Sequence, residues 1–188
     1  HICDYFDLIC GTSTGGIIAI GLALGMPASE ILSLYRDNAK AIFPFQSSCK
    51  KVVKIVRKKE LYKRDKLKEL LKVAYDNYAG ESPARLGHCK TRVCIPAYNA
   101  ERGMMNVFKT PHHPQLVRDY QIPACDIALS TAAAPVYFDS YDFEYTIKGG
   151  NEPLRYNCMI DGGIMANNPS LIGYTEAVHS LNIPIEDI

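Results

Sequence analysis

Apolar and polar positions along this chain repeat with two different periods, and the switches between them mark out strands and helices in turn. Tyr5-Phe-Asp-Leu-Ile-Cys10 reads as an apolar strand and Ile17-Ile-Ala-Ile-Gly-Leu-Ala-Leu24 as an apolar helix, with Gly11-Thr-Ser-Thr-Gly-Gly16 between them. That helix carries Gly15, Gly16 and Gly21 and stops at Gly25 and Pro27. Glycine costs about 1 kcal/mol relative to Ala in a free helix, so a helix so loaded is expected to be buried, its backbone pressed close to a sheet. A second helix is predicted from Ser29 to Phe43, with Ile31, Leu34, Tyr35, Ala39 and Ile42 on one stripe, ending before Pro44. Leu67, Leu70, Leu71, Ala74, Tyr75 and Tyr78 mark a third, amphipathic helix, with Asp65 as its N-cap and Gly80 as its stop.

The second half of the chain is richer in strands. Thr91 to Tyr98 and Met104 to Thr110 form a predicted hairpin through Asn99-Ala-Glu-Arg-Gly103. Pro123 to Ala134 reads as a helix of small residues, opened by Pro123 and ended by Pro135. Small side chains allow close approach, and the expected neighbour is the glycine-rich helix after Ser13. Strands follow at Val136 to Tyr141, Phe143 to Ile147 and Arg155 to Ile160, the last two joined by Lys148-Gly-Gly-Asn-Glu-Pro153. A last helix is expected from Pro169, carrying Leu171, Ile172, Tyr174 or Thr175, and Val178 on its apolar side. Alternating strands and helices argue an α/β architecture.

Composition narrows the picture without redirecting it. The 188 residues suit one domain, with ordinary shares of hydrophobic (47%) and charged (22%) residues. The longest run free of charged or strongly polar residues, Gly15 to Ala28, falls short of the 18 or more residues of a membrane-spanning helix. Seven cysteines, at 3, 10, 49, 89, 94, 125 and 158, form no C-x-x-C pair and no metal-ligand spacing with the five histidines. Reduced core thiols of a cytoplasmic protein are the expectation, with peripheral contact at membranes allowed. The chain opens on His1 without an initiator Met, so a secretion signal cannot be judged.

Charge is uneven. Between Lys50 and Lys72 eleven Lys or Arg stand against three acidic residues, a local balance of +8 in a chain whose net charge is +1. Such a face is most simply solvated cover for the core, or a contact for anionic headgroups. Nucleic acid is not an expected partner, because no reading motif accompanies the charge.

Gly11-Thr-Ser-Thr-Gly15 has the form G-x-S-x-G between a strand and a helix, the setting of a nucleophile elbow, which makes Ser13 the candidate nucleophile. Glycines on either side keep Cβ atoms out of a tight backbone. Asp161 stands in a similar place, at the end of an apolar strand and before Gly162 and Gly163. A carboxylate within hydrogen-bond reach of a serine can take its proton without a histidine, and works best when partly desolvated. The residues leave other readings open. Asp161 could instead form a turn. Ser13, Asp161 and His179 also follow the chain order of an α/β-hydrolase triad, although His179 falls near the end of the last helix. His112 and His113, between Pro111 and Pro114, read as an exposed loop.

Four blocks together, Gly11-Thr-Ser-Thr-Gly15, Ala124 to Phe138 with its Ser-Thr-Ala-Ala-Ala-Pro core, Asp161-Gly-Gly163 and Asn167-Asn-Pro169, resemble the patatin-like phospholipase family. The resemblance runs from Asp4 to about Ala177, with the blocks in the family's order. It implies a three-layer α/β/α sandwich around a central, mostly parallel sheet. Ser13 would be the nucleophile and Asp161 the proton acceptor of a Ser/Asp dyad, with Gly11, Gly15, Gly16, Gly162 and Gly163 shaping the two turns. The substrates implied are phospholipids or other acyl lipids, met at a membrane surface in transient contact, and no metal or organic cofactor is implied. Family members also carry a glycine-rich loop before the elbow that helps to hold the oxyanion. The N–H of Thr14 would supply one donor, and the other is expected upstream of His1. Residues 1–188 are therefore expected to be a partial catalytic domain with little activity alone, since losing one such donor costs roughly 10² to 10³ in kcat. Two alternatives keep the lipid and change the role: a non-catalytic lipid-binding module held by the basic segment, and an acyltransferase.

Overall fold

The computed structural model describes residues 1–42, 64–147 and 149–188. The basic run from 50 to 63, the end of the second predicted helix at Phe43, and Lys148 lie outside the described residues. After a 3-10 turn at Ile2–Asp4, the elements run β1 (Leu8–Cys10), α1 (Thr14–Leu24), α2 (Ala28–Ile42), α3 (Asp65–Ala79), β2 (Arg92–Asn99), β3 (Met104–Lys109), α4 (Ala124–Thr131), β4 (Tyr141–Thr146), β5 (Pro153–Asp161), α5 (Gly163–Ala166) and α6 (Ser170–His179).

β2 is the axis of the sheet. Along one edge it pairs antiparallel with β3, the hairpin expected from the sequence, from Cys94 opposite Lys109 to Asn99 opposite Met104. Its other edge is shared. β1 lies parallel to the first half of β2, with Cys10 opposite Cys94, and β5 lies antiparallel to the second half, with Asp161 opposite Ala97. The two strands therefore run toward each other along one edge and stop three residues apart. β4 completes the sheet antiparallel to β5. The sheet is mixed: the parallel component expected of it is confined, among the described residues, to β1 and β2. Its other pairings are antiparallel, because two of them are hairpins whose short connections cannot return a strand in the same direction.

Side chains alternate along β2 and so face two helical layers. Val93, Ile95 and Ala97 join the main core with Ile17, Ile20 and Leu24 of α1, Ile127 and Ala128 of α4, and Leu67, Leu71 and Tyr75 of α3. α4 is the neighbour of α1, as its small residues predict: a Cβ on Gly16 would sit 2.6 Å from Thr131 Cγ2 and 3.2 Å from Ile95 Cγ2. Cys94 points to the opposite face, where α6 lies so close to β1 that a Cβ on Gly173 would be 3.0 Å from the Cys10 sulfur. Helices thus cover both faces, the three-layer α/β/α arrangement. α1 and α3 end on Gly25 (φ 94°) and Gly80 (φ 69°), left-handed stops that only glycine adopts at little cost. No helix among the described residues is long and apolar enough to cross a membrane.

Several local expectations are corrected. β1 is only three residues long, because Tyr5 has helical backbone and closes the preceding 3-10 turn onto the Ile2 carbonyl and the chain bends at Asp7 before the strand begins. In α2, Ala39 is exposed although Ile31 and Ile42 are buried. Asp65 is the first residue of α3, not its cap; Arg64 stands at the cap and makes no side-chain capping bond. The segment from Val136 to Phe138 is a turn, not a strand. Val136 has φ 74°, a left-handed conformation closed to strands, and the Ala134 carbonyl accepts the N–H groups of Tyr137 and Phe138. The apolar side expected for α6 is not its buried side: Leu171 and Tyr174 are exposed, and Glu176 is buried. Of the described cysteines Cys3, Cys94 and Cys125 are buried and Cys10 and Cys89 half-buried, and burial pushes the thiols of Cys89 and Cys125 up to about 12, which keeps them protonated. Cys158 is exposed.

Candidate active site

The elbow is built by crowding. After Cys10 the backbone doubles back so tightly that a Cβ on Gly11 would overlap the Gly15 carbonyl, and no larger residue fits. A Cβ on Gly15 would meet open space, so of the two motif glycines it is Gly11 whose side is closed. Ser13 takes φ 58° and ψ −130°, a conformation that costs a non-glycine residue about 1–3 kcal/mol and persists only where neighbours impose it. Here they do. The Ser13 N–H donates to Thr131 Oγ1 (3.0 Å), whose hydroxyl donates to the Pro96 carbonyl (2.6 Å). The Ser13 carbonyl accepts from Gly16 and Ile17 and so opens α1. Ser13 thus caps a helix whose first N–H groups lack intrahelical acceptors and carry partial positive charge. Thr14, the first residue of α1, is exposed beside it.

Asp161 is placed from the other direction. β5 ends on it, its N–H donates to the Ala133 carbonyl (3.0 Å), and the N–H of Gly162 donates to the Thr131 carbonyl (3.2 Å). Asp161 is 7% exposed, and its carboxylate has a partner for each oxygen. Oδ1 accepts from the Gly163 N–H (2.7 Å), and Oδ2 accepts from the Ser13 hydroxyl across 148 positions of sequence. A Cβ on Gly162 would overlap the Pro96 carbonyl, because the turn after Asp161 passes against β2 where the strand has no partner on that edge. Gly162→Ala is therefore expected to destabilise the fold by about 1–3 kcal/mol, measured by chemical denaturation, and to displace Asp161. Unchanged stability would show that the turn can yield.

One residue that sequence reasoning passed over holds the site together. Thr131 bonds the Ser13 N–H, the Pro96 carbonyl and, through its own carbonyl, the Gly162 N–H. The signal was present as a β-branched hydroxyl residue inside a run of small ones, but nothing in that pattern names its partners. Thr12 adds a further tie, donating from Oγ1 to the Ala166 carbonyl of α5 (2.8 Å).

The remaining candidates lie elsewhere. His179 is exposed at the C-terminal end of α6, and the carboxylate of Asp161 meets the Ser13 hydroxyl directly, with no imidazole between them. His112 is not an exposed loop residue. Its side chain is 3% exposed and bonds Glu176 Oε1 through Nε2 (2.9 Å) and Thr110 Oγ1 through Nδ1 (2.9 Å). A serine hydroxyl donating to a buried carboxylate at the mouth of a helix is an arrangement for nucleophilic attack on an electrophilic carbon, with the proton passed to the acid.

The family described as "Patatin-like phospholipase" matches residues 1–172. Similar curated proteins include two named "cGAMP-activated phospholipase", from Escherichia coli (strain TW11681) and Vibrio cholerae serotype O1. These are 38% and 39% identical over 95% of this chain, which covers 46% and 48% of their own lengths. "Patatin-like protein 2" of Arabidopsis thaliana is 33% identical over 97% of this chain and is covered to 45%. The chain thus spans about half the length of the relatives it matches. A family match over nearly the whole chain, with the elbow at the end of β1 and the aspartate at the end of β5, makes this chain a member of the patatin-like phospholipase family.

Proposed function

We propose that the protein is a lipid acyl hydrolase in which Ser13 is the nucleophile and Asp161 its proton acceptor. The observation that carries the reading is the hydrogen bond from the Ser13 hydroxyl to Asp161 Oδ2. As Oγ attacks the acyl carbonyl, its proton moves to Asp161, and the N–H of Thr14 donates to the oxyanion. The tetrahedral intermediate expels the alcohol, which leaves with the proton held on Asp161, and an acyl-serine remains. Water then gives its proton to the same carboxylate, its oxygen attacks the acyl carbon, and the fatty acid departs as Ser13 regains a proton. The products from a phospholipid are a lysophospholipid and a fatty acid. The reaction takes place at a lipid surface, which the protein meets peripherally.

Two relatives are named for activation by cGAMP, and we extend that property to this protein as the condition under which it turns over. The test is fatty-acid and lysophospholipid release by the full-length protein from phosphatidylethanolamine and phosphatidylglycerol vesicles, read by mass spectrometry in ¹⁸O-water with and without cGAMP. Release of labelled fatty acid supports hydrolysis. Transfer of the acyl group to another lipid without label would replace it with an acyltransferase. Vesicle binding by both wild type and Ser13→Ala, with no release from either, would leave a lipid-binding module.

A further inference from the structure

On the face of the sheet opposite the main core, four side chains from four separate segments converge under α6. Cys94 is in the first half of β2, Cys10 is its register partner at the end of β1, His112 follows β3, and Glu176 comes from α6. One ligand atom each from Cys94, His112 and Glu176 lie within 4.8 Å of one another. Cys94 and Glu176 are buried, as is the side chain of His112, and Cys10, opposite Cys94 in the strand register, is half-buried with its sulfur against Gly173 of α6. Among the described residues no other group of three such donors comes together.

We propose that Cys10, Cys94, His112 and Glu176 form a structural zinc site that fastens α6 to the sheet. The donor set is two sulfurs, one imidazole nitrogen and one carboxylate oxygen, four ligands of the kind a closed tetrahedral Zn²⁺ takes. Bonds of about 2.0–2.3 Å to zinc put tetrahedral ligand atoms about 3.3–3.8 Å apart, so the Cys94, His112 and Glu176 donors must close by about 1 Å and the Cys10 thiol must swing in beside its register partner. The surrounding shell that such a site needs is already built. His112 Nδ1 is held by Thr110 Oγ1, which in turn accepts the Val93 N–H (3.0 Å), leaving Nε2 aimed into the cluster. The Lys109 ammonium bonds Glu176 Oε2 and leaves Oε1 facing His112. Partners of this kind orient metal ligands. Coordination releases the two thiol protons and any proton on Nε2 to water. Two thiolates, Glu176, Lys109 and Zn²⁺ then sum to zero charge, so the pocket gains no net charge when it fills.

The donors are spread from position 10 to position 176, which is why no cysteine and histidine spacing announces them. The site lies behind the elbow, since Cys10 directly precedes Gly11, and does not depend on the hydrolase reading. The experiment uses the reduced, metal-stripped full-length protein titrated with Co²⁺ under anaerobic conditions. One Co²⁺ per chain is expected, with a thiolate-to-cobalt charge-transfer band in the near ultraviolet that Zn²⁺ abolishes. Cys94→Ser should weaken the band, Cys10→Ser/Cys94→Ser should lose it and His112→Gln should weaken binding, all judged folded by circular dichroism, whereas Cys158→Ser, on the exposed thiol, should bind as wild type does. No stoichiometric binding, cobalt bound without the sulfur band, or a band that survives in Cys10→Ser/Cys94→Ser or is unchanged in His112→Gln would overturn the site. The four groups would then be a hydrogen-bonded network only.

Discussion

Replacing Ser13 with Ala is expected to lower fatty-acid release by about 10⁴-fold or more, the scale of loss when a serine nucleophile is removed from an otherwise intact site. The change deletes one oxygen. The Ser13 N–H keeps its bond to Thr131 and the Ser13 carbonyl still opens α1, so the melting temperature should move little. Esterase kinetics beside a melting curve separate the two effects. A variant that folds and retains more than about a tenth of the activity would show that another group attacks the acyl carbon.

Asp161→Asn should cost nearly as much, for a different reason. The amide is the same shape and its oxygen can still accept the Gly163 N–H, but its nitrogen then faces the Ser13 hydroxyl as a donor and cannot take a proton. Because the two side chains act as one unit, the double variant Ser13→Ala/Asp161→Asn should be no slower than the worse single one. His179→Ala should leave the rate unchanged, since His179 lies exposed at the far end of α6. Substantial turnover by Asp161→Asn together with loss in His179→Ala would exchange the dyad for a triad.

Much of the fold was legible because burial imposes a period. The helix after the elbow, the amphipathic α3 with its glycine stop, the hairpin of β2 and β3, and the small-residue α4 all follow from spacing and from residues that start or end elements. The misreadings share a cause as well. Val136 to Phe138 is β-branched and aromatic and so reads as a strand, yet Ala134 and the left-handed Val136 turn it. Leu171 and Tyr174 recur at helical spacing, yet α6 turns Glu176 inward because Lys109 and His112 wait there to pair with it. Periodicity reports that a face exists, not which face is covered, and a buried ion pair leaves no mark in the hydrophobic pattern. His112 was misplaced for the same reason.

By itself the sequence determined the α/β class, the strained turn at Ser13, and the presence of an aspartate before two glycines at the end of a strand, because each of these is set by residues within a few positions of one another. Only the tertiary structure decided that they meet. β1 and β5 approach head-on along one edge of β2 and stop at Cys94 and Ala97, and Thr131 ties both turns to the Pro96 carbonyl between them. Bringing together two turns 148 positions apart depends on which backbone edges of β2 remain free once the core has formed, and no local pattern encodes that choice.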